Sequence, residues 1–91
     1  AEKALAWGLV NEICEPGEVV QHAITVARRI ASNAPLSVRQ IKKSVRYGRE
    51  MDLRTAFRFE VEAYNHLIHT EDRVEGILAF NDRRKPVFKG R

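Results

Sequence analysis

Arg39, Lys42, Lys43 and Arg46 stand at i, i+3, i+4 and i+7, which on a helix stacks four cations along one stripe. Such a stripe could follow the phosphates of a ligand or of a nucleic-acid backbone. The plainer reading is a solvated face, which any amphipathic helix shows. His66 and His69, three apart and close to Glu71 and Asp72, invite a metal reading. Their interval is loose beside a His-Glu-x-x-His signature, so no metal site is expected. Cys14 would need an activating base or cation to act as a nucleophile, and no motif around it supplies one, so it reads as a packing residue. Glu71 and Asp72 are adjacent, hence about 100° apart on a helix, and both suit a helix N-terminus. Capping accounts for them better than paired acid and base roles. Phe80 and Arg83 are three apart, so an aromatic face and a guanidinium can meet one ligand, such as an adenine ring carrying phosphate. The plainer reading of this pair is a core aromatic and a helix-end cation.

The elements that must position these groups are mostly helical. Ala1 to Gly8 reads as the last turns of a helix closed by glycine, with no start signal before it, so the natural chain is expected to begin upstream. Leu9-Val10-Asn11-Glu12-Ile13-Cys14 leans toward β and ends at Pro16-Gly17, which predicts a short strand or extended connector. Between Glu18 and Ser32, Val20, Ala23, Ile24, Ala27, Ile30 and Ala31 recur at helical spacing. Pro35 disfavours helical backbone at Ala34 but suits the first turn of a new helix, which runs to about Tyr47 with Gly48 placed as a left-handed cap.

Asp52 caps a third helix that carries Leu53, Ala56, Phe57, Tyr64, Leu67 and Ile68 on one face. Glu60 shares that stripe and needs a partner or a wet neighbourhood. Thr70 caps the last helix, which ends before Pro86, and Gly76 in its interior predicts a close neighbour. The tail from Pro86 to Arg91 is expected to be extended, with its apolar residues docked and its cations in water. The whole is mainly α, a small bundle of about four helices plus a short N-terminal extended segment. Residues 1–15 form a helix end and connector, and 16–91 a helical domain.

Ninety-one residues permit only a marginal core. Sixteen Lys and Arg against 12 Asp and Glu give a formal charge of +4, a mild excess that suits acidic or phosphate-bearing partners without naming one. The single cysteine excludes an internal disulfide, and with no secretory h-region a reducing, cytoplasmic setting is expected. No apolar run approaches the roughly 20 residues a membrane span requires. The residues alone thus stop at a helical piece of unassigned role, for which a small basic module that binds nucleic acid through the Arg39 to Arg46 stripe is one candidate.

Taken in order and at their intervals, Ala4-Leu5-Ala6-Trp7-Gly8-Leu9-Val10-Asn11, then Ala34-Pro35-Leu36 leading to Lys42, then the run Thr70-Glu71-Asp72-Arg73-Val74-Glu75-Gly76-Ile77-Leu78-Ala79-Phe80 and Arg83-Arg84-Lys85-Pro86-Val87-Phe88 resemble the enoyl-CoA hydratase/isomerase (crotonase) family. The resemblance implies the C-terminal helical region of that fold, which mediates trimers and often hexamers. It implies an acyl-CoA thioester as the parent enzyme's substrate, with no separate cofactor, and a carbonyl oxygen held by two backbone N–H donors as it becomes enolate-like. The two glutamates of hydratases would lie upstream, since no glutamate here occupies their motif, so this chain alone is expected to be inactive. Some members touch the adenine end of CoA with an aromatic and a basic residue of the last helix. Phe80 and Arg83 fall at those places, with arginine where lysine is common, and Lys42 joins them as a candidate CoA contact. Self-association of the 91 residues is expected as well, because helices shaped for missing partners leave apolar faces to hide.

Overall fold

The computed structural model describes all of residues 1–91. Five helices follow one another: α1 (Glu2–Ala6), α2 (Val19–Ala31), α3 (Pro35–Gly48), α4 (Leu53–Asn65) and α5 (Glu71–Asn81). Leu9 to Cys14 forms an irregular connector and no strand. Its β-leaning residues find no second segment to pair with, and a strand without a ladder leaves its backbone groups unsatisfied.

α1 closes as its sequence predicts. Gly8, at φ +71°, donates its N–H to Leu5 O at 3.0 Å, and Leu9 N–H reaches Ala4 O at 2.9 Å, the paired bonds of a Schellman turn. α2 ends on side chains. Ser32 Oγ and Asn33 Nδ2 donate to Arg29 O at 2.8 and 3.0 Å, satisfying a carbonyl the helix leaves open. Ala34 is extended and Pro35 begins α3, as the proline requires.

Gly48 departs from expectation. It lies inside α3 rather than after it, and the following Arg49 is right-handed, so no left-handed cap forms there. The chain instead leaves through a turn in which Glu50 N–H bonds Tyr47 O at 3.0 Å. A Cβ at position 48 would stand an ordinary 3.6 Å from Ala56 Cβ on α4, so neither backbone hand nor crowding demands glycine there. α3 and α4 are the extensively packed pair, with Tyr47 and Phe59 edge to face at 5.9 Å.

α4 begins at Asp52, whose carboxylate accepts Thr55 N–H at 3.1 Å and is held below the usual carboxylate range by that bond. The helix stops at Asn65, short of the expected Ile68. Leu67 and Ile68 continue in turns that bond three residues back, to Tyr64 and Asn65, and both remain half-buried. Glu60 is exposed, so its charge needs no buried partner. α5 starts at Thr70, whose hydroxyl accepts Arg73 N–H at 3.2 Å.

The helices are spread rather than gathered around a core. The accessible surface is 8092 Å², against about 5,400 Å² for a compact monomer of this mass. The radius of gyration is 16.8 Å, against about 12 Å for a compact domain of this length. Only Ala63, Ala79 and Asp72 are buried. Val20, on the apolar face of α2, is 71 % exposed. The amphipathic pattern of α2 is therefore satisfied by nothing within these 91 residues. No helix is long and apolar enough to cross a membrane.

Candidate functional site

The end of α5 is the most tightly specified backbone in the molecule. Arg83 is left-handed at φ +54°, in the position after the Asp82 cap where glycine is usual. Its N–H donates to Phe80 O at 3.2 Å, and Arg84 N–H donates to Ala79 O at 3.0 Å. This is the same turn that Gly8 makes after α1, made here by a residue for which left-handed backbone costs about 1–2 kcal/mol.

The turn sends the chain back along α5, where side chains of the helix grip its backbone. Arg84 Nη1 and Nη2 donate to Glu75 Oε1 and Oε2 at 2.7 and 2.9 Å, a two-pronged pair, and Val87 N–H donates to Glu75 Oε1 at 2.7 Å. These bonds pull the Glu75 carboxyl down to about 2 and raise the Arg84 guanidinium above its ordinary value. One turn earlier, Asp72 accepts Lys89 N–H at 2.6 Å and Gly90 N–H at 2.8 Å. Its own N–H donates to Arg91 O at 3.1 Å. Asp72 is 2 % exposed, so it is a clasp as well as a charge at the helix dipole. Gly76, next after Glu75, lies against the ring of Phe88, where an added Cβ would stand at an ordinary 3.7 Å, so the close approach expected at this glycine is not tight enough to require it. Gly90 needs its φ of +76° and lies near Pro35 of α3.

Phe80 is 85 % exposed, not a core residue. Its ring helps line a shallow cavity of about 470 Å³ with Ala34, Ser37, Arg73, Ile77 and Phe88. Arg83 follows one turn later, with no ion pair of its own, whereas the neighbouring Arg84 is fully engaged. Lys42 lies elsewhere, in an open groove of about 870 Å³ on α3 with Lys43, Arg46, Tyr47 and Arg49. The four cations of the stripe are all exposed. Two also serve the fold, Lys43 Nζ standing 5.8 Å from the Phe59 ring and the Arg46 guanidinium 6.0 Å from that of Tyr47. His66 and His69 gather no further ligands. Cys14 is free and half-buried. His22, unremarked in the sequence, bonds Glu12 and ties α2 to the connector.

Glu75 and Arg84 are residues to which sequence reasoning assigned no role, and Asp72 one that it assigned only to the helix N-terminus. A signal exists in the spacing, since Asp72 and Glu75 fall on successive turns of one helix face. What they hold is backbone, which has no residue-type signature.

Comparison with known proteins places this geometry. The profile of the enoyl-CoA hydratase/isomerase family matches residues 1–91. A carnitinyl-CoA dehydratase of Escherichia coli K12 is 37 % identical over 95 aligned positions, covering 100 % of this chain and 36 % of that protein. A short-chain-enoyl-CoA hydratase of Clostridium acetobutylicum is 40 % identical, covering 93 % of this chain and 33 % of that protein. The crystal structure of an enoyl-CoA hydratase from Bacillus anthracis superposes with a TM-score of 0.96 at 40 % identity, over 100 % of this chain and 35 % of that one. The chain thus spans about a third of the length of the relatives it matches.

Proposed function

This chain belongs to the enoyl-CoA hydratase/isomerase family, and from that premise we propose that it is the helical part of an enzyme acting on acyl-CoA thioesters, closing over the CoA end of the site and supplying a subunit contact. In this reading the reacting carbonyl and its amide donors belong to a catalytic core outside these residues. The contribution of this chain is binding and placement. Phe80 offers a flat apolar face to adenine, Arg83 offers a cation to phosphate, and Lys42 would serve only a ligand that reaches the α3 groove.

The observation that carries the reading is the 85 % exposure of Phe80 on a helix whose frame is otherwise pinned. A large aromatic held rigidly in water forgoes roughly 1.5–3 kcal/mol of burial, which a ligand or a neighbouring subunit recovers. The uncovered faces of α2 and α3 support the subunit contact in the same way, and trimers or hexamers would bury them.

The test is kinetic. In the enzyme that carries this segment, Phe80→Ala should raise KM for crotonyl-CoA about fivefold with kcat unchanged, as loss of one ring contact predicts. The purified 91 residues should not hydrate crotonyl-CoA at all. An unaltered KM, or hydration by the 91 residues, would overturn the proposal.

A further inference from the structure

We infer that Asp72 and Glu75 are positioning residues for Arg83: by gripping residues 84–91 they hold Arg83 in its left-handed conformation, and so set where its guanidinium meets the 3′-phosphate of CoA, the one beside adenine. The inference rests on the proposed contact between the end of α5 and CoA, and adds which residues make that contact possible. Three observations converge on it. Arg83 occupies a backbone conformation that favours glycine, yet it is an arginine with no ion pair. A residue held against its own preference needs its surroundings to over-determine it. The strap supplies those surroundings, because the residue immediately after Arg83 is fastened to Glu75 by two hydrogen bonds, and Val87, Lys89 and Gly90 are fastened by their backbone N–H groups to Glu75 and Asp72.

The division of labour between adjacent arginines follows. Arg84 spends its charge inside the molecule, on Glu75 and Asp82, while Arg83, of opposite backbone hand, makes no ion pair. Without the strap, the chain after Phe80 could leave α5 in many directions, and a cation on a frayed end loses the entropy of ordering when it binds. The strap removes that cost before the ligand arrives.

Binding of coenzyme A and of 3′-dephospho-CoA to the intact enzyme, measured by calorimetry, separates the possibilities. Glu75→Gln and Asp72→Asn should each weaken coenzyme A about tenfold, the scale of one charge-assisted hydrogen bond, and leave 3′-dephospho-CoA within twofold. Arg84→Lys, which keeps the charge but loses the two-pronged geometry, should act in the same direction and serves if the carboxylate variants fold poorly. In an Arg83→Ala background, Glu75→Gln should add nothing, because its effect passes through Arg83. Equal weakening of both ligands, or full additivity with Arg83→Ala, would overturn the positioning role while leaving the CoA contact intact. If Arg83→Ala itself leaves coenzyme A binding unchanged, the contact fails, and the positioning role fails with it.

Discussion

α2 and α5 solve opposite problems. α2 carries a clean apolar stripe and buries none of it within the chain, whereas α5 has little amphipathic pattern and is bound by hydrogen bonds to the tail that returns along it. The difference shows that an apolar stripe records what a helix needs covered, not what covers it. α5 is held by carboxylates that accept backbone N–H groups, and such bonds need no periodic apolar pattern. They are directional and complete inside these 91 residues, while the stripe of α2 awaits a surface the chain does not provide.

The largest effect should come from the clasp. Asp72→Ala strands the N–H groups of Lys89 and Gly90 beside a buried position, and should weaken the strap by about 2–4 kcal/mol. Hydrogen exchange at those two amides reads this directly. Unchanged protection there would mean that Phe88 packing, not the carboxylate, holds the tail.

Acid should loosen the same region by a smaller step. The Glu75 carboxyl is lowered from 4.5 to about 2 by Arg84 and by Val87 N–H, so its contribution is fully present above about pH 4.5 and is lost as pH falls through about 2. The Val87 amide signal, followed by NMR between those limits, should move with that titration and should lose its response in Glu75→Gln. A midpoint near 4.5 would show that the pair is broken in solution.

The smallest effect belongs to α2. Val20→Lys should change the stability of the 91 residues by less than about 0.5 kcal/mol, as an exposed substitution does. The same change should shift sedimentation toward smaller species, since it charges a face proposed to associate. A large loss of stability without a change in assembly would show that α2 docks within its own chain, and the contrast with α5 would disappear.

Much of the helical plan was legible because its signals are local. Asp52, Thr70, Pro35 and Gly8 act on their own or neighbouring backbone, and each does what its type predicts. Boundaries failed where a neighbour decided. Gly48 lies within α3 against Ala56 rather than forming a cap, and α4 stops before Leu67 as the chain turns toward Thr70. Of the candidate site, the spacing of Phe80 and Arg83 was readable, and so was the cationic stripe. That Phe80 lies in solvent, and that Lys42 opens onto a different groove, was not.

What the sequence by itself determined is the helical class, the places where helices start, and a family resemblance spread over the whole chain. Tertiary structure alone decided that Asp72 and Glu75 grip the returning tail, that Arg83 is left-handed while Arg84 is paired, and that the apolar faces stay open. The physical reason is range: caps and turns act over three or four residues, whereas the strap joins Asp72 to Gly90, 18 positions away, through backbone groups that every residue carries alike.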